Sequence, residues 1–467
     1  MDTPHDPFVQ KTLRILFVIS LMTCASVASV AAQGIPPLLE PPPGSTITTD
    51  PVTFSGAHTS ADLKHLLRIG SSLGGSNLFS QSLGTGHSAT VSGLPSSGPI
   101  YVSYWTLNSA GWFVNRVVYT MDVGSGPRVW NCPAGDVDCL INAITIGNGS
   151  GNPEIIQLAA GTYTLDSLDN GSNLLPSIIG NITIEGAETT STIIRSSLAS
   201  NIIAESLTTF NVDESATLEL KSLSIIKGGT AIRNSGSATV HEGTISDNLI
   251  HTNFRAGTGI VNNQTGTMTI EDSTVSNYNQ VFPGGGGAIQ NAGTMDLTGS
   301  SIEGNSSSGG TGGITNGGML TITTSTIARN VGHDGGDGAI VNGGSLELIN
   351  SLVQNNFGFV GGLVSFGQTN ISKSIFTGNR SETGVSGGAI FNAGPMTISQ
   401  SVIALNKAGE GAGIFNRGAD LSLEQTVILG NEAASDGGGI KNVNNGRLTL
   451  TETVITNNTP DDCVGCP

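Results

Sequence analysis

Between Met295 and Asn458 the chain repeats one arrangement of apolar and polar positions seven times: [Leu/Met/Thr]-x-[Leu/Ile]-x-x-[Ser/Thr]-x-[Ile/Val/Phe]-x-x-Asn. A Gly-rich stretch of the type Gly-Gly-Ala-Ile-x-Asn precedes each copy. The closing residues are Asn305, Asn330, Asn356, Asn379, Asn406, Asn431 and Asn458, about 25 residues apart. In the copy at Leu346, the alternation Leu346-Glu347-Leu348 has strand spacing, so both leucines point inward and Glu347 outward. A bend follows at Ile349-Asn350, and Ser351 and Val353 turn inward on the next strand. Short strands repeated at this period predict a solenoid with one coil per repeat. Stacked coils then bury ladders of Leu, Met and Ile.

Less regular copies extend the pattern upstream: Ile182-Thr183-Ile184, Leu218-Glu219-Leu220 with Leu223, Ile232-Arg233-Asn234, Val240 with Ile245 and Asn248, and Ile260-Val261-Asn262. Roughly 11 or 12 coils result, some 50–60 Å long at the ~4.8 Å strand spacing. A second asparagine row, Asn291, Asn316, Asn342, Asn392, Asn416 and Asn442, is interrupted at Phe366. Both rows are expected to be internal, each amide bonding turn backbone and the equivalent Asn one coil away. The serines at 300, 325, 351, 374 and 401 are likewise ladder positions, since no His shares their register.

The flanks read differently. Residues 1–32 have the layout of a secretory signal, with Lys11 and Arg14 before the apolar run Ile15 to Val30 and cleavage expected before Gln33. Leu21-Met22-Thr23-Cys24 is a weaker lipobox alternative. Residues 33–44 are Pro-rich, an extended spacer. Over 45–124, short alternating segments such as Val52-Thr53-Phe54, Ile100 to Trp105 and Val117 to Thr120 predict a small β-sandwich. Trp105 and Trp112 are expected in its core, a sugar-stacking platform being the alternative. Residues 125–153 predict a helical cap: Asp136 and Asp138 start a helix with the apolar face Cys139/Leu140 and Ala143/Ile144, ending near Gly147. The parallel β-helix itself is assigned to 154–458, with Glu154 to Leu165 as its first coil, and 459–467 is a tail. Four cysteines remain after signal removal, and export favours two local disulfides, Cys132–Cys139 and Cys463–Cys466.

Composition narrows the function classes. The 66 glycines and 11% charged residues disfavour helices. A formal charge of −17 argues against nucleic acid, which demands a basic surface. It suits a solvated exported surface or weak Ca2+ binding. After the N-terminal run no stretch approaches the ~20 apolar residues of a membrane span.

Three resemblances add expectations. Pro43-Gly44-Ser45-Thr46, Val52-Thr53-Phe54, Ile69-Gly70-Ser71, Val91 to Pro95 and Tyr101-Val102 with Trp105 resemble a fibronectin-type-III-like or Ig-like domain of secreted bacterial proteins. Cys139-Leu-Ile-Asn-Ala143 followed by Glu154 to Leu165 looks like the entry segment of bacterial secreted β-helix proteins. Gly387-Gly388-Ala389-Ile390 and Phe376-Thr377-Gly378-Asn379 match the repeat signatures of polymorphic outer membrane proteins. That resemblance implies an all-β chain, a right-handed parallel β-helix at the cell surface with an adhesive role. The family's C-terminal membrane barrel has no counterpart before Pro467, so delivery by that route is not expected.

The register from strand to Asn never changes, whereas the linker to the next Ile or Val varies in length. Insertions in a solenoid gather on one side, often the binding side. Those loops, 306–312, 331–338, 357–362, 380–388, 407–412 and 432–438, carry the candidate ligand-binding residues His333, Asp334, Asp337, Phe357, Phe359, Arg380, Glu382, Glu410 and Asp436. Lys407 and Glu432 lie there too. Asp334 and Asp337 sit in a Gly-rich stretch and are expected to be solvated, with Ca2+ the one ion they would suit; no cofactor is implied. Glycosidases need two carboxylates roughly 5–10 Å apart, but no acidic motif recurs at coil spacing, so no catalytic residue is assigned. The expected function is non-catalytic binding, adhesin-like, of a carbohydrate or a cell-envelope or host component, at the outer surface, outside the cell or in the periplasm. The alternatives are a polysaccharide lyase or hydrolase and a structural spacer.

Overall fold

The computed structural model describes residues 38–122, 127–198, 207–250, 258–280 and 287–467. The expected signal segment 1–32 and residues 33–37 of the Pro-rich stretch lie outside the described residues. The chain divides into two compact units, one ending at Val123 and one beginning at Gly124.

The N-terminal unit consists of two sheets. Leu38–Glu40, Val52–Gly56 and Ser88–Val91 form an antiparallel sheet of three strands. Thr46–Ile47, Gly111–Asp122, Ser97–Asn108, Lys64–Gly70 and Phe79–Gly84 follow one another across the other. Residues 38–40, expected in a spacer, are thus a strand, and Leu38 is buried. Strand alternation builds the core: Val52 and Phe54 on the first sheet meet Leu67, Ile69, Ile100, Val102, Tyr104 and Tyr119 on the second. Phe54 and Tyr119 pack edge to face with ring centres 5.7 Å apart.

The same alternation corrects the placement of the tryptophans. Ile100, Val102 and Tyr104 face the core, so Trp105 has the opposite parity and lies on the outer face. Trp112, across the Ser97–Asn108/Gly111–Asp122 hairpin, is 47% exposed and meets Trp105 edge-on at 6.4 Å. The Arg116 guanidinium covers the Trp105 ring at 5.9 Å.

The second unit is a right-handed parallel β-helix, and among the described residues, to which the strand counts below refer, four parallel ladders form its sides. The first has 13 strands, from Arg128–Cys132 to Leu448–Thr451, and the second 12, from Gly161–Leu165 to Val454–Thr456. A third has 11, from Thr208–Val212 to Cys463–Val464, and a fourth 8, from Leu249–Ile250 to Glu432–Ala433. Register is constant along each. Leu297, Ile322, Leu348, Ile371, Ile398 and Leu423 stack directly over one another, all buried. Such a row removes about 25 cal/mol of unfavourable hydration per Å2 of apolar surface covered. The bend read at Ile349-Asn350 is a left-handed corner with φ 49° at Asn350, and Asn355 makes the next at 54°.

Both ends differ in detail from expectation. The first rung is Arg128–Cys132, ahead of the helix, and Glu154–Leu158 pairs onto it. The helix runs Val137–Ser150, capped by the Asp136 side chain on the Cys139 N–H and ended by Gly151 at φ 70°. It passes through Gly147 because that residue faces the core, with no room for a side chain beside Glu154. Leu140, Ala143 and Ile144 cover the open apolar end of the ladders, while Cys139 is only half-buried and bonds to Cys132. At the other end the Cys463–Cys466 disulfide closes a turn whose strand Cys463–Val464 pairs with Ile440–Val443. No helix among the described residues is long and apolar enough to cross a membrane.

Candidate functional site

The asparagine and serine rows are internal. Asn305, Asn330, Asn356, Asn379, Asn406 and Asn431 each donate their side-chain N–H to the side-chain oxygen of the next, at 2.9 to 3.1 Å. Each also donates its backbone N–H to that oxygen. Asn458 ends the row on the Asp462 carboxylate. Ser351 donates its Oγ–H to the Ile349 carbonyl and receives the Ser325 N–H. In the second asparagine row the register places Ser365, not Phe366, at the interruption. Phe366 is 59% exposed, and the Ser365 and Thr369 hydroxyls, 2.7 Å apart, carry the contact from Asn342 instead. The row also starts earlier, at Asn234 and Asn262.

The varying segments after each first-row Asn are not simple loops. Each opens with a strand of the fourth ladder: Ser306–Ser308, Val331–His333, Phe357–Gly358, Arg380–Ser381, Lys407–Ala408 and Glu432–Ala433. The Gly-rich residues that follow pack backbone on backbone. A Cβ at Gly338 would lie 2.4 Å from the Gly361 carbonyl oxygen, and one at Gly358 2.5 Å from the Gly338 nitrogen. These glycines are there for close approach. The segments then turn back onto the outer face of the third ladder, where a Cβ added to the glycines at 387, 411 and 437 would lie within 3.0 Å of the Cβ atoms of Phe391, Phe415 and Lys441.

Seven of the nine expected residues come together on three successive coils. His333 and Asp334 are exposed; Asp334 takes a 2.5 Å hydrogen bond from the Ser308 hydroxyl of the preceding coil. Asp337, expected to be solvated, is half-buried and accepts the Val360 N–H at 3.0 Å. Burial pushes its pKa up to about 6, against the Val360 bond, and the Glu382 charge adds to the rise. The Phe359 N–H reaches the Gly336 carbonyl, and the Glu382 N–H reaches that of Gly358. Phe359 is 45% exposed, whereas Phe357 is half-buried with the Arg380 guanidinium 5.9 Å above its ring. Among the described residues, Asp334 and Asp337 are not gathered with a third ligand into a Ca2+ cage.

Glu410 and Asp436 form a separate group. Both bind the Lys441 ammonium, at 2.9 and 2.7 Å. Burial works to lower the Lys441 pKa, and these two carboxylates reverse the sign, leaving it raised. Lys407 pairs with Glu432 at 2.6 Å. Lys441 and the stacked rings Phe391 and Phe415, 5.4 Å apart, continue one outward row of the third ladder that the sequence reading missed. Its signal was the variable residue between the Ile and Asn of the Gly-rich stretch.

The chain matches no protein-family model and no curated protein sequence. Among solved structures it is similar to the A-module of a mannuronan C-5 epimerase from Azotobacter vinelandii, at 14% identity over 72% of this chain and 96% of that one, with a TM-score of 0.41. A PL6-family alginate lyase is similar at 12% identity over 70% and 53% of the two chains, TM-score 0.36. The catalytic domain of a GH87 α-1,3-glucanase is similar at 10% identity over 89% and 92%, TM-score 0.37. At these identities the likeness concerns the course of the backbone alone.

Proposed function

We propose that this chain is an exported, non-catalytic polysaccharide-binding β-helix whose ligand lies across the fourth ladder, over His333, Phe357, Phe359 and Arg380. One observation carries the reading: the exposed Phe359 side chain two residues on from the Arg380-covered Phe357, in a segment where Asp334 and Asp337 of the preceding coil are held by the protein itself. Aromatic and guanidinium planes stack on the C–H faces of sugars, and a rigid ladder presents them without loss of loop entropy. Carboxylates tied to Ser308 and to the Val360 N–H orient the surface and leave it polar. The signal-like N-terminus and the repeat resemblance favour the outer cell surface or the extracellular space.

A second reading has one specific observation in its favour. A carboxyl group with a pKa of about 6 beside a second acid, Glu382, suits a general acid near neutral pH, as a hydrolase or lyase would need. Incubation of the mature protein with uronate and neutral polysaccharides, with and without Ca2+, separates the two. Binding predicts retention without new chain ends, weakened about tenfold by Phe359→Ala or Arg380→Ala, as for loss of an anchoring contact. Cleavage that disappears in Asp337→Ala would replace the binding reading with the catalytic one. Neither retention nor cleavage would leave a structural spacer.

A further inference from the structure

The N-terminal unit holds a polar cluster that the solenoid reading does not use. Residues 57–63 connect the strand Val52–Gly56 of one sheet to Lys64–Gly70 of the other. Around this crossing, His58 Nδ1, Asp62 Oδ2 and His65 Nε2 converge. The nitrogens are 3.1 Å apart, and the carboxylate oxygen lies 3.8 Å from His58 and 3.9 Å from His65. A point equidistant from these three atoms is about 2.1 Å from each, the length of a zinc–imidazole or zinc–carboxylate bond.

The surroundings hold the donors in place. His65 is fully buried, its other ring nitrogen 3.1 Å from the Thr106 hydroxyl and its face stacked on Tyr104 at 5.2 Å. With Nδ1–H donated to Thr106, the Nε2 lone pair points into the cluster, the outer-sphere arrangement of metal-bound histidines. The Asp62 side chain is 3% exposed and its Oδ2 accepts the Thr59 N–H at 2.7 Å. His58 borders solvent at 36% side-chain exposure, and His87 stacks on its outer side at 5.6 Å. We propose that His58, Asp62 and His65 bind one Zn2+ ion, or a neighbouring late first-row divalent ion, which ties the connection 57–63 to the strand Lys64–Gly70. Two imidazoles and one carboxylate select such an ion over Ca2+ or Mg2+, which take oxygen ligands. Three protein ligands leave a fourth position for water on the exposed side near His58.

The full-length protein, stripped with a chelator, is titrated with Zn2+ against a chromophoric competitor, and with Co2+ to read the visible absorption of a four-coordinate site. The expected result is one equivalent bound, a tetrahedral Co2+ spectrum and a higher melting temperature of the N-terminal unit. His58→Ala, at the surface, is expected to weaken binding at least about tenfold, since even outer-sphere partners of a metal contribute that much. Asp62→Asn is the second variant, and His87→Ala should leave affinity within about threefold. Unaltered circular dichroism of the metal-free variants shows that they fold. Absence of stoichiometric binding, or equal binding by wild type and His58→Ala, overturns the proposal.

Discussion

The solenoid and the N-terminal unit both bury polar side chains, and they satisfy them in opposite ways. Along the first asparagine row each amide is completed by its own copy one coil away, and the row ends on a carboxylate, Asp462. In the N-terminal unit, His58, Asp62 and His65 have no copies, and two imidazole nitrogens face each other at 3.1 Å. Translation supplies a donor for every acceptor, so conspicuous repeated letters are internal wiring. Where nothing is repeated, each buried polar atom is met by a different group: the two imidazole nitrogens lie within hydrogen-bond distance of each other, and Asp62 Oδ2 accepts the Thr59 N–H. The solenoid's first rung offers an intermediate case. Glu154 is buried without a copy, but Arg128 forms an ion pair with it at 3.1 Å and the Trp130 indole N–H donates to it at 2.8 Å.

The contrast predicts a ranking of substitutions. Glu154→Ala should be the most damaging, removing the buried carboxylate that both the Arg128 guanidinium and the Trp130 indole N–H reach, at a cost of about 3–5 kcal/mol. Urea denaturation followed by far-UV circular dichroism would measure it. Asn356→Ala comes next, at about 3 kcal/mol, because it strips the Asn330 amide and backbone N–H and the Ile327 carbonyl of their partner. If Asn356→Ala proved the more costly of the two, the uncopied buried charge would not be the weaker design, and the comparison would invert.

Asp337→Asn sharpens the point at a site with a single backbone bond. The folded pKa of about 6 lies above the ordinary carboxylate value, so between roughly pH 4 and 6 the native state binds more protons than the unfolded chain. Stability from this group is therefore present at low pH and lost as pH rises through 6. The amide keeps the acceptor for Val360 but never ionises. Asp337→Asn should stabilise by about 2 kcal/mol at pH 7 and leave pH 4 unchanged, read from paired denaturation curves. A benefit that persisted at pH 4 would point to packing instead. The smallest effect belongs to Leu405, an exposed leucine in a left-handed corner at φ 59°. Leu405→Gly should gain about 1 kcal/mol by relieving Cβ strain, whereas a loss would mean that this side chain packs on its neighbours more than its exposure indicates.

Much of the fold was legible because it is written many times. Leu346, Leu348, Ser351 and Val353 face inward as their spacing required, and Asn350 makes the bend. Single-copy features were harder. The first rung at Arg128–Cys132 has one copy and no motif, so only its pairing with Glu154–Leu158 reveals it. Ser365 was hidden behind Phe366 because a one-residue shift in register changes which side chain faces in. Trp105 and Trp112 were misplaced by trusting residue type over strand parity. Within the candidate site, the loop residues were named, but their partition into a His333–Glu382 group and a Glu410–Asp436–Lys441 group was not.

The amino-acid sequence alone determined the coil, its period, its inward rows and the two disulfides, since repetition and local spacing act over a few residues or one coil. Tertiary structure alone decided what the repeat does not encode. It turned the Gly-rich stretches from flexible loops into a closely packed side of the helix, because their backbones approach only when coils stack. It raised the Asp337 pKa through burial that no local pattern records. Finally it brought His58, Asp62 and His65 within bonding distance of one point, where a crossing between two sheets sets the geometry.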